Sequence, residues 1–372
     1  MILVNNKNMK NKFLEKNMFF IMPILFISVL GLINIYGASF ISSLYSGMFI
    51  KQALWLLIGG VLAVVVYNLG VNFFYRNATI FYILGVLALA AVLVFGTTVN
   101  GASSWFRIGP FSIQPSEIFK VFFIVFLARV INKHRGGNIS LILKVSLFTA
   151  IPSILIFLEP DTGVVLMYLL ISIGEILASK LDKRIILVCF ITGAILIGGF
   201  FAFYFLKPDM FVDILGTSFF YRMDRLLAFK DTSSYQLNNA LIGIGASGLF
   251  GFGVTNVKIY VPEVTTDFAF DLAIMNFGCL VGVLVVLAYM TILLNLYNRG
   301  KNDKKYLHRC MLSGIIVMMA FQIFEHIFMN LGLTPITGIT LPFLSYGGSS
   351  IVSYAMIFGL VLKITTSNSS YS

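Results

Sequence analysis

Long apolar runs separated by short polar breaks repeat along the whole chain. They cover residues 18–36, 53–69, 80–95, 118–131, 141–158, 163–178, 185–206, 268–294, 310–331 and 350–364. A helix rises about 1.5 Å per residue, so roughly 20 apolar residues cross the hydrocarbon core of a bilayer. The pattern therefore predicts an all-α polytopic membrane protein of about ten transmembrane helices, organised as a single membrane domain over residues 1–372. The run at 18–36 follows a Lys-rich start but has full spanning length and no small-residue cleavage site, so it reads as a first span and not as a signal peptide. Two interruptions are long: a polar, Gly-containing stretch at 97–116, and residues 207–267.

Composition agrees. The chain is 59% hydrophobic and only 11% charged, with mean hydropathy +0.95, whereas soluble domains carry about a quarter charged residues. A soluble enzyme, a disulfide-stapled secreted module and a disordered chain are excluded. The net charge of +11 would suit a nucleic-acid partner, but its distribution suits membrane topology better. With ten spans and both termini cytoplasmic, eighteen Lys and Arg fall on the inner side and seven on the outer, with Lys120 inside the membrane; this is the bias that orients helical membrane proteins. Residues 1–17 form a cytoplasmic tail, and 207–267 an extracytoplasmic loop between helices 7 and 8. The acids run the other way, most of them lying in the membrane or on the outer face. Cys189, Cys279 and Cys310 show no paired spacing and read as small core residues.

Ionised side chains in spanning helices cost about 2.5–3.5 kcal/mol each, so each needs a reason. Four outer-side segments stand out. In Gln114-Pro115-Ser116-Glu117, Pro115 suits a helix start, Glu117 the first turn, and Lys120 the same face three residues on; a capped helix with an internal ion pair explains this as well as a functional pair does. In Glu159-Pro160-Asp161-Thr162-Gly163 the residues are turn formers, and Asp161 suits the cap of the sixth helix. Asp267, in Pro262-Glu263-Val264-Thr265-Thr266-Asp267-Phe268, stands where loop meets membrane; its plainest use is a helix N-cap. Leu341 to Ser350 is small and hydroxylic, and suits a re-entrant turn lining a cavity.

Other matches carry little. Gly243-Ile244-Gly245-Ala246-Ser247-Gly248 spells a dinucleotide fingerprint without the surrounding βαβ unit, so its glycines suit tight turns or close packing. His134, His308 and His326 are scattered and do not suggest a metal site. Glu325-His326 inside the ninth span suggests a helix-helix hydrogen bond.

Taken together, Gly101-Ala102-x-x-Trp105, Gln114-Pro115-Ser116-Glu117-x-x-Lys120, Pro160-Asp161-x-Gly163, Tyr221-Arg222-x-x-Arg225, Pro262-Glu263-x-x-Thr266-Asp267-Phe268-x-Phe270, Pro335-x-Thr337-Gly338 and Leu341-Pro342-Phe343-x-Ser345-Tyr346-Gly347-Gly348-Ser349-Ser350 resemble the SEDS family (shape, elongation, division and sporulation). The likeness spans almost the whole chain in order. It departs from the family pattern at Ser104, Thr265, Met275, Asn276 and His326, and the stretch 253–262 is about two residues short. The short N-terminal tail and compact length lean toward the rod-shape branch.

The resemblance implies a peptidoglycan glycosyltransferase that polymerises lipid II on the outer face of the bacterial cytoplasmic membrane, in wall elongation or division, alongside a class B penicillin-binding protein transpeptidase. It places the catalytic carboxylate at Asp267. Glu117, Lys120, Asp161, Arg222, Arg225, Lys258, Thr266, Ser345, Tyr346 and Ser349 are the candidate supporting residues, with Arg222, Arg225, Lys258 and Lys120 the cations available to a leaving diphosphate. A divalent cation, Mg or Mn, is the one cofactor expected. Two readings from other classes stand beside this one: a flippase whose polar path is lined by Glu117, Lys120, Glu175 and Glu325, and a non-catalytic scaffold. No inverted repeat, the usual mark of alternating access, is evident.

Overall fold

A computed structural model describes residues 2–99, 102–109, 111–217, 220 and 235–369. The helices are α1 (Ile2–Ile41), α2 (Met48–Phe95), α3 (Pro115–Lys133), α4 (Asn138–Leu158), α5 (Thr162–Leu177), α6 (Lys183–Leu206), α7 (Pro208–Leu215), α8 (Tyr235–Ser247), α9 (Ala269–Phe277), α10 (Cys279–Asn302), α11 (Tyr306–Asn330) and α12 (Gly348–Ser369). Among the described residues seven helices are long and apolar enough to cross a membrane, and α5 is a shorter apolar one. The protein is an all-α multi-pass membrane protein. Many large side chains face outward from the bundle, among them Phe19, Val61, Leu143, Phe190 and Leu287; a lipid-facing surface has this character, and a water-facing one does not.

Each predicted run falls on a helix, with instructive differences. The 48 residues of α2 would extend about 72 Å as one helix, more than twice the hydrocarbon thickness. Helical geometry breaks at Gly70 (φ 75°), which divides α2 into the second and third runs. Helix α1 begins at Ile2, so the stretch before the first span, which runs over Asn17–Ile41, is helical and continuous with it. The stretch expected to be one loop at 207–267 contains α7 and α8.

The eighth run is not one helix. It is split into α9 and α10 at Gly278 (φ 86°), where an added Cβ would lie 2.0 Å from the Leu249 carbonyl oxygen. Breaking a helix at membrane depth frees backbone groups that lipid cannot satisfy. Here the chain just before the site satisfies them: Phe252 N–H donates to Met275 O (2.8 Å), Gly253 N–H to Asn276 O (3.0 Å), and Cys279 N–H to Gly248 O (3.0 Å). The dinucleotide-like glycines belong to this packing. Gly243 lies inside α8, and a Cβ there would meet Met275 Sδ at 2.4 Å.

The polar stretch at 97–116 folds as a three-stranded antiparallel sheet, β1 (Thr97–Val99), β2 (Ala102–Ile108) and β3 (Phe111–Ile113), in the order β1-β2-β3. Phe111 packs edge-on against Trp55 of α2 (centroids 5.0 Å apart), and a Cβ at Gly348 would strike the same indole at 2.2 Å. The sheet is thereby fixed between α2 and the start of α12, and delivers the chain directly into α3. The buried core is centred on α3, α11 and α12. Of the cysteines, only Cys310 is fully buried; Cys189 is exposed on α6, facing outward instead of filling a core.

Candidate functional site

Five segments meet at the end of the bundle where α3, α5 and α12 begin. Pro115 opens α3 and Glu117 sits in its first turn, where missing backbone partners and the dipole favour an anion. Its carboxylate is 2.7 Å from Lys120 Nζ, three residues on. Both side chains are almost wholly buried, and the ammonium also lies over the Tyr354 ring, 4.5 Å from its centroid. Lys120 is thus held by Glu117 and Tyr354 inside the bundle. This corrects the expectation that it faces a leaving diphosphate directly.

Asp161 caps α5, accepting from Val164 N–H at 3.1 Å, while its other oxygen accepts from Gln114 Nε2 at 2.9 Å. Gln114 N–H in turn donates to Ser349 Oγ at 2.8 Å, and Tyr168 donates to Ser116 O at 2.8 Å. Burial raises the Asp161 carboxyl to about 6; the Val164 amide opposes the shift, and Glu117 adds to it. Glu159 is raised further, to about 8, chiefly by burial.

Asp267 occupies a different kind of position from the one its sequence suggested. The cap residue of α9 is Phe268, with no side-chain cap bond, so the Asp267 carboxylate is not consumed as an N-cap. The turn that carries it is organised by Glu263, whose carbonyl accepts from the amides of Thr266, Asp267 and Phe268 at 3.0–3.3 Å. Thr266 Oγ1 donates to Glu263 Oε2 at 3.0 Å. Glu263 adopts φ 54° and Phe343 φ 65°; left-handed geometry at non-glycine residues is stored strain of a kind that collects at functional sites. Burial raises the half-buried Asp267 to about 6, the Glu263 charge adds to the rise, and the Thr266 hydroxyl opposes it.

The chain from Thr334 to Ser350 joins the two halves. Ser345 Oγ donates to Thr266 O (2.7 Å) and accepts from Leu341 N–H (2.9 Å), and Tyr346 N–H donates to Thr265 O (2.7 Å). At its far end Ser349 receives Gln114. A Cβ at Gly338 would be 3.8 Å from Asp267 Oδ2, and one at Gly163 3.0 Å from the Ile339 side chain. The segment is pinned from α11: Thr337 Oγ1 hydrogen-bonds Glu325, and His326 Nδ1 donates to Ile339 O at 2.8 Å. The Glu325-His326 pair therefore bonds to the connection before α12, where the sequence suggested another helix.

The structure thus links Thr266, Ser345 and Tyr346 to the Asp267 turn through one set of hydrogen bonds and Ser349, Gln114 and Asp161 through another, the 345–349 chain joining the two, while Glu117 and Lys120 pair with each other beside Asp161. Lys258 is exposed on the connection between α8 and α9, and Arg222 and Arg225 lie outside the described residues. The network also contains residues that the sequence reading passed over. Asn330 donates to Asp267 O (2.8 Å) and accepts from Asp271 N–H (3.2 Å). Gln52 donates to Ser345 O (3.1 Å) and accepts from Gly347 N–H (3.4 Å). For Asn330 a lone amide at the end of an apolar run was the available signal, and Gln52, beside Lys51 just before its run, offered none. Among the described residues no three His, Cys, Asp or Glu side chains form a metal cluster.

The sequence model of the cell cycle protein family of FtsW, RodA and SpoVE matches residues 16–370. The chain belongs to this family. Its FtsW/RodA/SpoVE relatives include the probable peptidoglycan glycosyltransferases FtsW of Legionella pneumophila (31% identical over 340 residues, 86% of this chain and 82% of the relative) and Enterococcus hirae (29% over 367 residues, 92% and 90%). In three dimensions this member resembles a chain from a structure described as structural coordination of polymerization and crosslinking by a peptidoglycan synthase complex (TM-score 0.77, 26% identity, 94% and 97% covered). It also resembles the rod shape determining protein RodA of Thermus thermophilus (TM-score 0.68, 26% identity, 93% and 95% covered). Relatives bearing the name FtsW and a structure of RodA both match, so the likeness extends to more than the rod-shape branch.

Proposed function

We propose that this peptidoglycan glycosyltransferase polymerises lipid II at the outer face of the cytoplasmic membrane, with Asp267 as general base. The observation that carries the reading is the state of Asp267. It is half-buried and not engaged as a helix cap, on a turn held by Glu263, Asn330 and Ser345, where burial raises its carboxyl to about 6. A general base works best when its pKa approaches the operating pH. Asp267 takes the proton of the acceptor sugar hydroxyl as that oxygen attacks the anomeric carbon of the donor. The new glycosidic C–O bond forms as the bond to the lipid diphosphate breaks, and the diphosphate leaves with the electron pair.

The departing diphosphate needs positive charge. Arg222, Arg225 and exposed Lys258 are the candidates in this chain; Lys120 acts indirectly, by holding Glu117. A divalent cation suits the donor set as well, because Mg binds one or two carboxylates and completes its shell with substrate phosphates and water. Asp267 and Glu263, which feel each other's charge, are the pair that would hold it, and the ion would supply charge neutralisation. A lipid-linked donor accounts for a site built where helices emerge from the bilayer. A class B penicillin-binding protein would cross-link the product, as the polymerization and crosslinking complex supports.

Purified protein given fluorescent lipid II should make glycan chains, and Asp267→Ala should not. Polymer made equally by the variant would overturn the assignment of the base. Movement of lipid II between leaflets without polymer would favour the flippase.

A further inference from the structure

The bundle end opposite Asp267 holds a cavity with no part in the proposed chemistry. The α3 helix begins at the Gln114–Glu117 end of the network, and α5 begins at Asp161. Their 19 and 16 residues carry the chain about 28 and 24 Å away, a membrane thickness. There, a cavity of about 320 Å³ opens between the α3–α4 connection, the α5–α6 connection and the start of α11.

His134, Arg135 and Lys180 line its rim. Among the described residues neither Arg135 nor Lys180 has a carboxylate partner. The nearby acid, Asp182, accepts from Arg184 N–H at 3.0 Å as the α6 cap. The Lys180 backbone N–H donates to the Tyr306 hydroxyl at 3.0 Å, and its ammonium lies 5.2 Å from the Tyr306 ring centroid; Arg309 lies 5.9 Å from that centroid. Lys180 and Arg309 thus flank one ring, and among the described residues neither Lys180 nor Arg135 is within ion-pair distance of a carboxylate.

The floor differs in kind. Ile131, Leu141 and Leu181 line it and are buried. Asn138, at the rim, opens α4, and Leu141, one turn on, lines the floor, so the apolar floor continues into the start of a membrane-spanning helix. Cations at the ends of membrane-spanning helices, over an apolar floor, match an amphiphile. The shared chemistry of the possible ligands is a phosphate ester, and the apolar floor favours one carrying acyl chains.

We propose that this cavity binds the phosphate headgroup of an anionic phospholipid, with Arg135 and Lys180 as its main contacts and the apolar floor of Ile131, Leu141 and Leu181 toward its acyl end. Basic pockets between transmembrane helices are established hosts for such headgroups.

The test is native mass spectrometry of the full-length protein released from nanodiscs containing equal phosphatidylglycerol and phosphatidylcholine. The wild type should retain phosphatidylglycerol preferentially, and less of it as ionic strength rises. R135Q/K180Q should lose about thirtyfold in retention, from two cations at the membrane surface, while R135K/K180R, which keeps both charges, should retain it. Equal retention of the two lipids by wild type, or undiminished phosphatidylglycerol in folded R135Q/K180Q, overturns the proposal. So does displacement of the lipid by millimolar inorganic phosphate, which would mark the cavity as a site for a free anion. If R135Q/K180Q does not fold, the lipid preference and salt dependence of the wild type decide the matter alone.

Discussion

Asn330 closes a bridge over the first turn of α9: its amide nitrogen donates to the Asp267 carbonyl at 2.8 Å while its oxygen accepts from Asp271 N–H at 3.2 Å. Asn330 is fully buried at the end of α11, so one side chain ties the proposed base to a second helix. Truncation would leave a carbonyl and an amide unpaired. Asn330→Ala should therefore cost about 1–3 kcal/mol of stability and lower the polymerisation rate about tenfold or more, since misplacing a reacting group by about an ångström costs up to a hundredfold. Thermal unfolding beside kcat and KM checks this; loss confined to KM would contradict a role in holding Asp267.

Gly338 offers a sharper separation of activity from stability. It adopts φ 73°, and a Cβ would be added 3.8 Å from Asp267 Oδ2, ordinary contact distance from the carboxylate. Gly338→Ala should cost about 1–2 kcal/mol for the left-handed backbone. Activity should fall by more than that energy predicts, because the methyl group occupies space beside the base. A parallel decline in both would show that only the backbone matters.

The pH dependence has a definite sign. Asp267 must be ionised to accept a proton, so activity should fall as pH drops through about 6. The negative Glu263 raises that value. Glu263→Gln keeps an acceptor for Thr266 and removes the charge, so the Asp267 pKa falls and the acid limb moves to lower pH. A limb that moves upward, or does not move, would mean that another group controls it.

Much of this arrangement was legible in the sequence because the physics involved was local. Apolar run length gave the spans, and Pro115 with Glu117 and Lys120 at i+3 gave the start and ion pair of α3. Asp161 was readable as a cap. What escaped depended on partners distant in the chain. Asp267 looked like an N-cap because the turn that moves the helix start to Ala269 is made by Glu263 and completed by Ser345. Glu325 and His326 looked like a helix-helix contact because the 334–340 segment that folds back onto them has no period to read. The break at Gly278 lay hidden in a continuous apolar run, since only its tertiary partners, residues 248–253, make it affordable. Gln52, beside Lys51 at the edge of a run, and Asn330, at the end of another, are informative only once Ser345 and Asp267 stand beside them.

The Glu117–Lys120 pair should behave as a buried ion pair. With both side chains almost fully buried, removing one partner strands the other charge, so Lys120→Met should destabilise by about 3–5 kcal/mol. Glu117→Gln with Lys120→Met should cost less than Lys120→Met alone. Thermal unfolding of both singles and the double variant gives the coupling. An additive result would mean that the pair is solvated.

Glu159 predicts a stability profile opposite to that of most acids. Its carboxyl titrates near 8 in the folded protein against an ordinary value of 4.5, so over that interval the folded state holds a proton the unfolded state has released. Stability is therefore greatest at low pH and declines as pH rises toward 8. Asp161 and Asp267, both raised to about 6 from 3.8, act in the same sense but complete their titration earlier, leaving Glu159 as the carboxyl raised furthest among these three. Midpoint temperatures in detergent should thus rise on acidification from pH 8 to 6. Glu159→Gln, neutral throughout, should flatten that slope and unfold at a higher temperature than wild type at pH 8. A wild-type midpoint that falls over the same acidification would show that the Glu159 carboxyl is already ionised at pH 6, its burial offset by contact with water.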